Sequence, residues 1–126
     1  MKKWSNDLTD NLKQENFTSS RFHTGSKRYI SYLAFNNHIE TSDTDGFQIK
    51  SPNNADWLKI DFINPVIPSK LTIQGNDIPY LPKKIKISMS ANDIDYVEID
   101  VIDNIKNNNN KVNEYVYRTP TKKYRF

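Results

Sequence analysis

The residues with most chemistry to offer are oxygen donors crowded into one loop-like run, NNHIETSDTDG. Calcium takes roughly six to eight hard oxygen ligands. Asn36, Thr41 and Asp43, with Asp45 behind them, are therefore candidate calcium ligands. The TSDTDG piece has an EF-hand look, but its register fails. If Asp43 and Asp45 fill the third and fifth ligand positions, the first is Thr41 and the twelfth is Pro52, where a chelating Glu is needed. A solvated acidic turn with Asx hydrogen bonds accounts for the same residues. Calcium is thus the one cofactor that the pattern raises, and none is required.

A second set suits sugar recognition. Phe47 and Tyr80 offer aromatic faces to the apolar side of a ring, and Arg21, His23 and Asn76 offer polar groups to its hydroxyls. Phe47 and Tyr80 also serve, more plainly, as covers for the edge of a core. A third set is cationic: Lys83, Lys84, Lys86, Arg118, Lys122, Lys123 and Arg125. These could meet phosphate or an acidic partner surface. Net charge is only +3, however, and dedicated nucleic-acid binders carry denser patches. Nucleic acid is not the expected partner. Lys84 and Lys86 fit a solvated strand face, where they also discourage edge-to-edge pairing.

Enzyme chemistry finds little to work with. His23 and His38 lie in loop-like stretches without a nucleophile beside them. HIET is no metalloprotease motif, and three glycines build no phosphate loop. The expectation is a chain that is not an enzyme.

The elements that must position these residues are strands. From Asp56 to Ser90 run DWLKIDF, PVIPSKLTIQG and YLPKKIKIS, each alternating apolar and polar residues and each ending at turn formers. This predicts consecutive antiparallel strands with one wet face. Leu58, Ile60 and Phe62 point inward, with Lys59 and Asp61 outward. Val66, Leu71 and Ile73 follow, then Ile85, Ile87 and Met89, then Val97, Ile99 and Val101. NFTSSRF, FQIKS, EYVYR and KKYRF read as further strands. YISYLAF fits a buried strand or one helical turn. About eight short strands at regular spacing predict an all-β sandwich or barrel.

The 126 residues suit one domain. With no cysteine there is no disulfide or thiolate metal site. Seven Tyr, six Phe and two Trp supply large burial per residue. The start, MKKWSNDLTDNLKQ, lacks the apolar run of a signal peptide, and no stretch is long and apolar enough to span a membrane. Trp4, Leu8 and Leu12 recur at a spacing that puts them on one face of a short helix. Residues 1–15 are therefore set apart as an N-terminal arm, docked on the sandwich or on a partner subunit, and residues 16–126 as the sandwich itself.

Five ordered pieces resemble the discoidin domain, also called the coagulation-factor C-terminal domain, which includes many bacterial galactose-type carbohydrate-binding modules. They are Ala34 to Asn37, Trp57 to Phe62, Leu71 to Gly75, Lys84 to Asp93 and Lys123 to Phe126. The resemblance covers roughly residues 16 to 126. It implies an antiparallel jelly-roll β-sandwich, galactose-binding-domain-like, with ligand loops at one end. It places Trp57, Leu58 and Ile60 as core anchors and closes a hairpin at Ser90-Ala91-Asn92-Asp93. It also implies that the loops Arg21 to Arg28, Asp43 to Phe47 and Asn76 to Pro82 lie at the ligand end. The chain departs from the family where Asn36 and Asn37 stand for Asp and Gly, where Gly46-Phe47 lie near the place of a tryptophan, and where the last strand stops at Phe126.

The expectation that follows is a non-catalytic binding or structural module. By analogy, a lone module of this fold with no export signal suits a bacteriophage virion protein: a capsid decoration, fibre or attachment component made in the host cytoplasm. Its partners would be other subunits of an assembly. The alternative is an extracellular glycan-binding module, acting alone or clipped from a secreted enzyme.

Overall fold

A computed structural model describes residues 7–20, 56–74, 82–103, 105 and 112–126. These are mostly strand, and the one helical piece among them is a single 3-10 turn, Gln14–Asn16. The described strands are β1 (Phe17–Ser19), β2 (Leu58–Ile60), β3 (Lys70–Gln74), β4 (Ile85–Met89), β5 (Val97–Ile102) and β6 (Val112–Val116). They pair antiparallel as β1 with β2, β3 with β6 and β4 with β5. The all-β class read from the alternation therefore holds at that coarse level.

The chain gathers into two compact units. In the first, Phe17 faces Ile60 and Ser19 faces Leu58 across the β1–β2 pair. Backbone bonds extend the pairing at both ends, from Ser20 N–H to the Trp57 carbonyl (3.0 Å) and from Asp61 N–H to the Asn16 carbonyl (2.8 Å). Phe17 is buried. The 3-10 turn ahead of it is held by the Asn16 side chain, whose Oδ1 accepts from Lys13 N–H at 2.9 Å. Such a local bond occupies donors that a helix start leaves orphaned.

Two expectations fail in this unit. Residues 8–11 form turns, not a helix, with bonds from Asp10 N–H to the Asp7 carbonyl and from Leu12 N–H to the Thr9 carbonyl. Asp7 drives this locally: its Oδ1 accepts from both the amide and the hydroxyl of Thr9, an arrangement that competes with helix. Trp57 is no core anchor, being 48% exposed. Strand alternation explains it, since Leu58 and Ile60 share one face and so Trp57 must share the other with Lys59. The Lys59 ammonium lies 5.5 Å from the centre of the Trp57 ring, a cation–π contact at the surface.

The second unit has a core of Met89, Ile102, Tyr117 and Tyr124, with Leu71, Ile87, Ile99, Ile105 and Tyr115 packed against it. Each fully buried apolar side chain of this size is worth about 1.5–3 kcal/mol. β4 alternates as its sequence requires, with Lys86 exposed and Met89 buried. β5 does not. Ile87 faces Asp100 and Ser88 faces Glu98, so Ile99 is an extra residue in a β-bulge. The bulge changes the phase of the strand. Ile102, which the simple alternation leaves outside, is therefore buried; Val97 lies on the other side of the bulge, opposite buried Met89, and is 51% exposed beside the turn.

The chain end stitches this unit together. Val66 and Tyr124 exchange two backbone bonds, both 2.8 Å. Ser90 and Phe126 exchange two more, at 2.9 and 3.0 Å. Tyr117 N–H also reaches the Ser69 carbonyl at 3.1 Å, lengthening the β3–β6 pair. The segment from Tyr117 to Phe126 is thereby fastened to the approach to β3 and to the end of β4. The expected KKYRF strand does not form; its place is taken by an isolated bridge between Val66 and Tyr124 and the Ser90–Phe126 bonds. The expected strand FQIKS, and YISYLAF with its two readings, lie outside the described residues.

Candidate functional site

The best-defined constellation is the turn between β4 and β5. Ser90, fully buried, anchors it. Its Oγ accepts from Asn92 N–H (3.2 Å) and Asp93 N–H (3.0 Å) and donates to Asn92 Oδ1 (3.0 Å). Asn92 Oδ1 in turn accepts from Ile94 N–H and Asp95 N–H, both at 2.9 Å. The Asn92 amide donates to Asp95 Oδ2 at 3.1 Å. Asp93 takes the left-handed conformation (φ 62°), which Asp tolerates because its short side chain bonds locally. The Tyr96 hydroxyl donates to Asp93 Oδ1. Burial of the ring, then the bond to Asp93 and its charge, push the Tyr96 phenol above its ordinary range.

These bonds fix a turn whose tip is apolar and wet. Ile94 is 79% exposed and Val97 and Tyr96 are roughly half exposed. Asp93, Asp95 and Glu98 ring them with negative charge. Sequence reasoning placed the hairpin at Ser90 to Asp93 but missed the exposed tip. The chain marked only the turn, through Asn92, Asp93 and Asp95 around Ile94, and not the exposure of its tip.

The cations expected at the surface are there. Lys83, Lys84 and Lys86 are exposed, as are Arg118, Lys122, Lys123 and Arg125. The last four lie on the segment fastened beside the turn by Ser90 and Phe126. Lys122 lies 5.3 Å from the Tyr124 ring centre and Arg125 lies 5.1 Å from that of Phe126. The arginine segment is also tied to β5: Arg118 N–H donates to Asp100 Oδ2 at 2.8 Å, while Val101 N–H donates to Asp100 Oδ1 at 2.8 Å. The Arg118 amide first, and the Val101 amide second, hold the Asp100 carboxyl below its ordinary pKa.

A shallow cleft of about 190 Å³ opens between β5 and β6, lined by Asp100, Val101, Ile102, Glu114, Tyr115 and Val116. Its two carboxylates are committed elsewhere. Asp100 accepts the two backbone amides, and Glu114 Oε1 meets the Lys70 ammonium at 3.3 Å. The cleft therefore has shape and charge but no poised acid–base pair.

Arg21, His23, Phe47, Asn76 and Tyr80, the sugar-gripping set, lie outside the described residues, as do the calcium candidates Asn36, Thr41 and Asp43. Of the arm residues, Trp4 lies outside them, Leu8 is exposed and Leu12 is half-buried. Among the described residues no three His, Cys, Asp or Glu gather to hold a metal, and no helix is long and apolar enough to cross a membrane. No family model, no curated protein and no solved structure matches this chain.

Proposed function

We propose that the chain is a non-catalytic structural and binding module of discoidin-like jelly-roll fold, serving as a subunit of a larger assembly such as a phage virion. The observation that carries this reading is the rigid β4–β5 turn, which spends its polar groups on its own backbone and holds Ile94 79% exposed. Ile94, Tyr96 and Val97 together make an apolar patch ringed by acidic groups, a surface that contact with another protein would cover. The antiparallel strand pairs and the sequence order of the five discoidin-like pieces support the sandwich reading. The acidic and basic groups near the turn suit recognition of a protein surface.

The test sets assembly against sugar binding. The purified chain is applied to a glycan array with and without calcium, and the genes beside its own are inspected. The expected outcome is no glycan signal and neighbouring capsid or tail genes. Glycan binding that disappears on Tyr80→Ala or Arg21→Ala would overturn the reading in favour of a carbohydrate-binding module.

A further inference from the structure

We infer that the β4–β5 turn is a self-association site, docking on the basic C-terminal segment of a second copy of this chain. The inference rests on the proposed role as an assembling subunit and names the contact. Three observations carry it. The turn presents an apolar tip of Ile94, Tyr96 and Val97, at 79%, 43% and 51% exposure. Asp93, Asp95 and Glu98 flank that tip, all exposed. The segment 118–125 offers the opposite charge on exposed Arg118, Lys122, Lys123 and Arg125, with the apolar stem of each able to cover the tip.

The placement of the two elements sets the symmetry. Ser90 closes the root of the turn, and the two backbone bonds between Ser90 and Phe126 hold the basic segment at that same root. The bond from Arg118 to Asp100 fixes its other end to β5. The basic segment therefore runs from the middle of β5 to the root of the acidic turn, where Arg125 neighbours Phe126. In a two-fold pair each turn meets the partner's basic segment, so both complementary contacts form at once. A head-to-tail chain would leave one contact open at each end. Exposed ion pairs are individually weak, so the apolar tip supplies affinity and the charges supply orientation and salt dependence.

The experiment is sedimentation equilibrium of the full chain over a concentration series, at low and at high salt. A monomer–dimer equilibrium weakened by salt is expected. Ile94→Asp should raise the dissociation constant at least tenfold, and Ile94→Ser should also weaken the pair. The double variant Lys122→Glu/Lys123→Glu should do likewise. Adding Glu98→Lys to that double variant should recover part of the lost affinity, because it sets a cation against the two introduced carboxylates. Thermal melts show whether each variant is folded. A chain that stays monomeric up to about 1 mM, the weak end of measurable affinity, overturns the inference. So does an oligomer that the Ile94 substitutions leave intact, or an added Glu98→Lys that recovers none of the affinity lost in the folded double variant. None of these results touches the assembly reading, which falls instead to glycan binding.

Discussion

Ser90 joins two jobs in one residue. Its backbone pairs with Phe126 and its hydroxyl organises the turn that follows. Because it is fully buried, no water stands ready to replace that hydroxyl. Ser90→Ala leaves the amides of Asn92 and Asp93 without their acceptor and should cost about 1–3 kcal/mol, read from urea denaturation. Ala91→Ser, one residue along at an exposed position, is the control and should change little. Ile63 is a residue of the opposite kind. It is β-branched, it takes φ 69°, and it is half exposed. Its amide donates to Asp61 Oδ1 at 2.8 Å, which holds the backbone in that region. Left-handed backbone costs a residue with a Cβ about 1–2 kcal/mol. Ile63→Gly relieves that strain and gives up little burial, offset in part by the freer unfolded chain. The expected outcome is a gain of up to about 1 kcal/mol in the same denaturation measurement.

Among the elements, the C-terminal segment carries the second unit. Tyr124 contributes a buried ring to the core and two backbone bonds to Val66. Tyr124→Ala should cost about 3–5 kcal/mol, the range for emptying a large aromatic site. Tyr124→Phe keeps the ring and should cost far less. How much of this was legible depended on the signal each element carries. β4 was plain, since Ile85, Ile87 and Met89 recur with period two and nothing interrupts them. β5 misled, because a bulge shifts phase without any mark in composition; Ile102 turned inward for that reason. Trp57 misled differently. Its family-like position promised a core anchor, while the alternation of its own strand already placed it beside Lys59 on the wet side. The pairing of the chain end with Ser90 and Val66 joins residues far apart in sequence, and no local pattern encodes it. The candidate site was legible only as a turn. Exposure of Ile94 follows from side-chain bonds that hold the turn open, and those depend on three-dimensional placement.

For the molecule as a whole, two groups set opposite limits on pH. Asp100 has a lowered pKa when folded. Its contribution is therefore complete above the ordinary carboxylate value of about 4 and is lost as pH falls through its folded value. Tyr117 is raised from 10.0 to about 12 by burial. Its contribution is complete below pH 10 and is lost as pH climbs toward the folded value. A shift of that size corresponds to roughly 2–3 kcal/mol. Denaturation midpoints measured across the pH range should thus form a plateau that drops at both ends. Asp100→Asn should soften the acid end and Tyr117→Phe the alkaline end, where Tyr96, also raised, keeps part of the drop. Between these limits the mild net charge of +3 leaves stability nearly level. Lys70 and Glu114 add little there, because the carboxylate is 62% exposed and surface pairs are worth at most about 1 kcal/mol.

The fastening of Tyr124 and Phe126 to Val66 and Ser90 has a consequence in time. The β4–β5 hairpin can close by itself, through a short turn that its own side chains favour. The tail cannot find its place until that hairpin and the approach to β3 are both laid down, and the loops it must close are long. It should behave as a latch that shuts after the rate-limiting step. In stopped-flow measurements, Tyr124→Ala should then speed unfolding and leave the refolding rate almost untouched, whereas Ser90→Ala should slow refolding. The grip that looks static in the fold would be what decides how long the folded state lasts.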